Sequence, residues 1–444
     1  AEAGLQAGDI IMEINGKDMA QGDRTPNELT SYVSDNLRGD PGTTCVLKLE
    51  RPTADSTYIP MELKITRGTI RTNPVPYYGM VDKNIGYIAI STFAIEGCSK
   101  DIKKALIELK QQGATSIVLD LRGNGGGLLS EAVNVVNFFV PKGKEIVVTK
   151  GKIKQAGSTY KTSNEPIDME IPLTVLVDGA TASAAEIVSG SLQDLDRAVI
   201  VGNRTYGKGL VQVPRELPYN SSMKVTTAKY YIPSGRCIQA IDYAKRNADG
   251  SVARIPDSLT TVFHTAAGRE VRDGGGIRPD VEVKAERFPN IMFYLLNDDM
   301  IFDYATQYCI KHPNIGEVKD FSVTDADYDD FKQMLKKRNF TYDRQSEKSL
   351  KNLKEIAEFE GYMEGASEEF AALEKKLTHN LDHELNRFSK QIRKAIAEEI
   401  VKRHYFQRGV ILERMKDDAD LTKAIETLKD KEGYTKILSV PADK

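Results

Sequence analysis

Two segments hold residues whose types and spacing could do chemistry together. In DGATASAAEIVSG an apolar strand ends at Val177, Asp178-Gly179 turns the chain, and small residues lead to Ser183 in the first turn of a helix that carries Ile187, Val188 and Leu192 inward. A serine there sits beside unpaired backbone N–H groups suited to a developing oxyanion, and Ala182 and Ala184 let a peptide backbone come close. The same position also suits a serine that only caps the helix. In TYGKGLVQV, Lys208 stands between Gly207 and Gly209 at the entry to a strand. A lysine that is desolvated or crowded by positive charge can lose its proton near neutrality and act as base toward a serine. Gln212 lies four residues on, ~13 Å away at Cα on the same strand face, so its amide reaches the amine only if the glycines bend the chain.

The loop RGNGGG, Arg122 to Gly127, follows a continuous apolar strand and opens a helix, so its N–H groups can face an anion. It is neither a dinucleotide fingerprint, since Leu128 stands where a glycine is needed, nor a P-loop, since no G-K-[ST] follows. It serves as an oxyanion donor or as a plain tight turn. Of the five histidines, His312, His379, His383 and His404 fall in a charged helical region and His264 in a polar loop, so a Ser-His-Asp triad would need a long reach.

Composition narrows the classes. Lys+Arg 61 against Asp+Glu 64 gives a net charge of −3, which argues against a nucleic-acid partner. No apolar run approaches the roughly 20 residues of a membrane span. Cys45, Cys98, Cys237 and Cys309 form no C-x-x-C pair, so buried thiols are expected rather than a zinc site or disulfide scaffold.

The positioning elements fall into three stretches of the 444 residues, the count that roughly 150 per domain suggests. Residues 1–67 read as a small β-rich module: a strand over Asp9 to Ile14 ending at Asn15-Gly16, a helix after Pro26 that stops at Gly39, then strands Thr43 to Leu49 and Tyr58 to Thr66. Residues 68–287 alternate strands (Ile85 to Ser91, Ser116 to Leu121, Pro172 to Val177, Ala198 to Gly202) with helices (Lys100 to Gln112, Leu128 to Phe139, Ser183 to Leu195), the order of an α/β domain with a largely parallel sheet. Residues 288–444 are rich in Glu, Lys, Leu and Ala at helical spacing.

On these residues the chain resembles the C-terminal processing peptidases, or tail-specific proteases, serine proteases with a Ser-Lys dyad. The resemblance rests on AGL-x-AGD-x-I-x-x-x-NG (Ala3 to Gly16), D-L-R-x-N-x-G-G (Asp120 to Gly127), the S-A-S-A-S-E-like turn at Ser183, T-[FY]-G-K-G-x-V-Q (Thr205 to Gln212), PSGRCIQ (Pro233 to Gln239) and GGGIRPD (Gly274 to Asp280). It spans residues 1–282, and the charged helical tail is similar to extensions of some members. The resemblance implies that Ser183 is the nucleophile, Lys208 the general base and Gln212 the residue that positions the lysine, with the family's Ser-to-Lys spacing of 25 kept. It implies an oxyanion hole from the N–H of Ala184 and one from Gly126, and no metal or organic cofactor. The fold it implies is an α/β protease core of crotonase/Clp-protease-like β-α units, with a PDZ domain over 1–67, N-terminally incomplete because the family's carboxylate-binding loop lies upstream of AGL-x-AGD, and a helical C-terminal region over 288–444. The implied activity is endoproteolysis of exposed or unfolded C-terminal regions in the periplasm or cell envelope. TASAAE departs from SASASE at Thr181 and Ala185, neither of them the nucleophile.

Two other readings stand beside it. Related folds bind peptides or lipids without hydrolysis. His379 and His383 share the i, i+4 spacing of a zinc-binding helix, but HNLDH lacks the Glu of H-E-x-x-H and sits among charges, where two solvated histidines are the plainer reading. The helical tail can pack on the core, self-associate or bind an adaptor, and packing is the expected arrangement.

Overall fold

The computed structural model describes residues 3–55, 57–152, 157–246, 252–284, 286, 288–377 and 380–439. Contacts divide the chain into two compact units, Ala1–Ile70 with Glu286–Lys416, and Arg71–Ala285 with Asp417–Lys444.

The first unit opens with a four-stranded antiparallel sheet, β1 (Ile10–Ile14), β2 (Lys17–Asp18), β3 (Thr44–Pro52) and β4 (Tyr58–Thr66), in the order β2-β1-β3-β4. Its one helix, α1 (Pro26–Leu37), starts on a capping box between Thr25 and Glu28 with Pro26 in the first turn. The helix lays Tyr32, Val33 and Leu37 against Ile14, Cys45 and Leu47 of the sheet.

The second unit is built on a six-stranded sheet. Its strands are β5 (Tyr77–Asp82), β6 (Ile85–Ala89), β7 (Ser116–Asp120), β10 (Leu173–Val177), β11 (Val199–Gly202) and β18 (Val281–Glu282), in the order β18-β11-β10-β7-β6-β5. All neighbours are parallel except β5 and β6. Strands β6, β7 and β10 are buried along their whole length, which is why they read as unbroken apolar runs. The connecting helices α2 (Cys98–Gln111), α3 (Leu129–Val136) and α4 (Ala184–Asp194) share one core with the sheet. A second antiparallel sheet, unforeseen in the sequence, has the order β12-β13-β8-β9, from β8 (Glu145–Gly151), β9 (Ser158–Lys161), β12 (Leu210–Leu217) and β13 (Ser221–Tyr231). Two hairpins follow, β14 (Ile241–Arg246) with β15 (Val252–Arg254) and β16 (Val262–His264) with β17 (Glu270–Arg272).

Helices then fill the rest of the first unit: α5 (Asn290–Asn297), α6 (Met300–Lys311), α7 (Asp325–Lys337), α8 (Gln345–Phe359), α9 (Met363–Leu377), α10 (Leu381–Arg387) and α11 (Ser389–Met415). Leu295, Tyr304, Phe331, Leu385, Ile396 and Ile400 centre their core. The chain from Asp417 onward belongs with the second unit, although composition groups it with the preceding helices. Helix α12 (Ala419–Lys429) turns Leu421, Ala424 and Leu428 inward and lies against β7, β10 and β11. In α13 (Lys431–Leu438) the Tyr434 hydroxyl accepts from Leu173 N at 2.9 Å and lies 3.1 Å from Leu173 O. No helix among the described residues is long and apolar enough to cross a membrane.

Candidate active site

The site forms where the chain leaves two neighbouring parallel strands, β7 and β10, the end at which an α/β sheet presents its loops. Asp178, just after β10, binds both loops: its carboxylate accepts from Thr181 N at 2.9 Å and Ala180 N at 3.0 Å in its own turn, and from Gly123 N at 3.0 Å across the gap. Thr181 Oγ1 donates to Leu121 O at 2.9 Å, and Ala182 N to Asn124 O at 2.9 Å. The serine turn and the glycine loop are therefore one hydrogen-bonded body.

Ser183 sits at the corner between that turn and α4 with φ 57° and ψ −118°. An L-residue there bears strain of about 1–3 kcal/mol, which persists only where surrounding structure enforces it. Such a sharp strand-to-helix corner is how a nucleophilic serine is held out at the top of a sheet. The enforcing group is Glu186. Its carboxylate, fully buried in the first turn of α4, accepts from Ser183 N at 2.9 Å. It also accepts from Thr205 Oγ1 at 2.5 Å, Gly207 N at 2.8 Å and Lys208 N at 2.8 Å. Burial pushes the Glu186 carboxyl above its ordinary range while these four donors oppose that rise. The sequence carried a signal for this residue, the S-x-x-E pattern of a helix start, but not the three bonds to a distant loop.

Gly126 lies directly against the corner. A Cβ on it would stand 2.7 Å from Ser183 Cβ and 2.8 Å from Ala184 N, and its φ is +96°. Ala184 N–H, the first of the helix, has no hydrogen-bond partner among the described residues. The N–H of Gly126 is engaged: it donates at 2.9 Å to Oδ1 of Asn124, a fully buried side chain whose amide donates to Ile90 O at 2.8 Å. This is the local turn that asparagine makes with the residue two ahead. Among the described residues the next donor, Gly127 N–H, is without a partner, while Gly126 O accepts from Phe93 N at 2.9 Å.

Lys208 arrives on the loop between β11 and β12, which is tied to the serine turn by Tyr206 N to Thr181 O at 3.0 Å. Its backbone is fixed by Glu186, while its side chain is exposed. Among the described residues no hydrogen bond joins Lys208 Nζ to Ser183 Oγ. Gln212 follows a bulge in β12 at Val211/Gln212; it is exposed, and its Nε2 lies 3.3 Å from Thr226 Oγ1. The structure thus gathers Ser183, Ala184, Gly126 and the Lys208 backbone, and places the Gln212 amide on Thr226. His379 lies outside the described residues, and no group of three His, Cys, Asp or Glu close enough for a metal occurs among those described.

Comparison with known proteins bears on the same segments. Residues 84–245 match peptidase family S41, and residues 291–428 match the C-terminal helical domain of probable PDZ-proteases. The chain is 38% identical over 247 residues to the carboxy-terminal-processing protease of Bartonella bacilliformis, an alignment covering 54% of each chain. It is 38% identical over 234 residues to the carboxyl-terminal-processing protease of Picosynechococcus, covering 52% of this chain and 53% of that one. With the chloroplastic C-terminal processing peptidase of Tetradesmus obliquus the identity is 32% over 273 residues, 59% of this chain and 55% of that one. The chain spans about half the length of these curated relatives.

Proposed function

We propose that the chain, whose residues 84–245 match peptidase family S41, is a serine endopeptidase that cuts exposed or unfolded C-terminal regions of proteins. Ser183 Oγ attacks the scissile carbonyl, and the free amine of Lys208 takes its proton. The tetrahedral oxyanion is held by the N–H of Ala184 with one from the glycine loop, where Gly126 makes the close approach and Gly127 has the unengaged donor. Collapse expels the amine product, which takes the proton back from the lysine ammonium, and leaves an acyl-serine; the lysine, again a free amine, takes a proton from the water that attacks the ester and returns it to Ser183 Oγ as the acid product leaves. The single observation that carries this reading is the strained backbone of Ser183, a conformation that capping a helix does not call for.

For the base to work, the exposed Lys208 side chain must swing onto Ser183, and the Gln212 amide must leave Thr226 to orient it. We assign that swing to substrate binding. The repeated β-α units support a crotonase/Clp-protease-like core. The β1–β4 sheet with α1 supports a PDZ reading of residues 1–67, in which a substrate tail adds as a strand. The working compartment is then an exported one, as the resemblance implies.

Incubation with an unfolded protein tests the reading: the wild type yields shortened products, and Ser183→Ala and Lys208→Ala yield none. The exposure of Lys208 favours one alternative, a module that binds tails without cutting them. Tail binding by the wild type with no product at long times would establish that alternative in place of the protease.

A further inference from the structure

Glu186 holds the backbone N–H groups of Ser183 and Lys208, and a second buried group holds their carbonyls. Tyr230 lies near the end of β13 with 2% of its surface exposed. Its hydroxyl donates to the carbonyl of Lys208 and lies 3.3 Å from the carbonyl of Ser183. Its own N–H donates to Gly209 O at 3.1 Å, which extends the pairing of β13 with β12 by one residue toward Lys208. We infer that Tyr230 is a positioning residue for the proposed serine-lysine chemistry, its single hydroxyl fixing the distance between the backbones of Ser183 and Lys208.

The inference rests on the reading of Ser183 and Lys208 as nucleophile and base. Its logic is geometric. Each of the two residues must present its side chain to the other across a gap that the main chain sets, and neither side chain supplies that constraint. The carbonyls belong to segments 25 residues apart, and the phenol that reaches both comes from β13, the antiparallel neighbour of the strand that the lysine loop enters. The phenol has one proton, which is shared between two acceptors, so a drift of either segment away from the other breaks the shared arrangement and leaves one of the carbonyls without its bond. Burial, with the Glu186 charge nearby, pushes the Tyr230 hydroxyl well above the ordinary phenol range, so it remains a donor throughout the pH range in which a protease works. A misplacement of about 1 Å in a reacting pair can lower the rate by about 10²-fold. Tyr230 touches neither the substrate nor the reacting atoms, so its loss falls on turnover rather than on substrate binding.

The test compares the full-length wild type, Tyr230→Phe, Tyr231→Phe and Ser183→Ala on one unfolded substrate. Tyr231 is its half-buried neighbour on the same strand, so the same chemical change is made without the two carbonyls. Expected for Tyr230→Phe is a kcat lower by about 10–100-fold with KM within about twofold and thermal unfolding retained, with Tyr231→Phe equal to wild type. Wild-type kcat in a folded Tyr230→Phe overturns the inference while leaving the protease reading intact. Cleavage by Ser183→Ala at the wild-type rate overturns the protease reading itself. Should Tyr230→Phe not fold, a crystal structure of the wild type with a peptide aldehyde on Ser183 decides. A Tyr230 hydroxyl within hydrogen-bond distance of both carbonyls supports the inference, and separation from either one overturns it.

Discussion

Ser183 and Lys208 donate their backbone N–H groups to the same atom, Oε2 of Glu186, at 2.9 and 2.8 Å. One buried carboxylate thereby sets where the serine corner stands relative to the lysine loop, with Gly207 N and Thr205 Oγ1 on its other oxygen. In Glu186→Gln the amide NH₂ must face one of these two pairs of donors. Each buried donor left unpaired costs about 1–3 kcal/mol. The expected result is a loss of about 2–4 kcal/mol in urea unfolding together with at least a 100-fold loss of proteolysis. An unchanged rate would show that the corner is held by something else.

Gly126 tests the close approach of the glycine loop. Gly126→Ala puts a Cβ 2.7 Å from Ser183 Cβ and from Ala182 O at a φ of +96°, so both space and backbone oppose it. The expected outcome is proteolysis reduced by about 100-fold or more. A Cβ on Gly125 meets nothing within 4 Å, so Gly125→Ala is expected to stay within a few-fold of wild type. Equal rates in the two variants would contradict the site geometry.

The strain at Ser183 makes a prediction that separates stability from activity. Ser183→Ala keeps an L-residue at φ 57°, ψ −118°, whereas Ser183→Gly relieves it. Both variants should be inactive. The glycine variant should be more stable than the alanine variant by about 1 kcal/mol once its greater unfolded-state freedom is subtracted. A glycine variant less stable than the alanine variant would argue against strain.

The returning C-terminal segment makes a different prediction. Arg122, at the start of the glycine loop, donates to both oxygens of Asp418 at 2.9 and 2.6 Å and to Asp420 at 3.1 Å, while also pairing with Asp120. Asp418 also caps α12 by accepting from Leu421 N at 3.0 Å. Asp418→Ala removes the bidentate pair and the cap together and should destabilise the α/β unit by about 3 kcal/mol. Asp420→Ala, which removes one longer bond, should cost about 1 kcal/mol. Hydrogen exchange at the β7 and β10 amides reads the difference, and equal protection in both variants would contradict the account.

The sequence made some of this legible and some not, for physical reasons. Strands β6, β7 and β10 announced themselves because burial on both faces forces unbroken apolar runs, and α1 because Leu29, Tyr32, Val33 and Leu37 recur at helical spacing between Pro26 and Gly39. Strand β5 did not, since its residues are all half-buried and show no alternation, and neither did β13, whose first half is exposed. The return of α12 to the sheet was hidden because an amphipathic stripe states that a face is buried and not against what. Ser183 and Lys208 stood out by residue type among glycines and alanines. Tyr230 left no signal, because its role lies in which carbonyls its hydroxyl meets. Gly126 was named through the resemblance as an oxyanion donor, whereas its close approach to Ser183 and the Asn124 side chain that takes its N–H were not legible.

In the proposed mechanism Ser183 becomes acylated by a substrate carbonyl, and Lys208 makes it reactive. Rapid quenching of the wild type with a slowly hydrolysed peptide ester, followed by tryptic mass spectrometry, tests it directly. The account predicts an acyl group on the peptide containing Ser183, absent in Ser183→Ala and formed at least about 1000-fold more slowly in Lys208→Ala. Turnover of the ester with no adduct on Ser183, or acylation in Lys208→Ala at the wild-type rate, would contradict it.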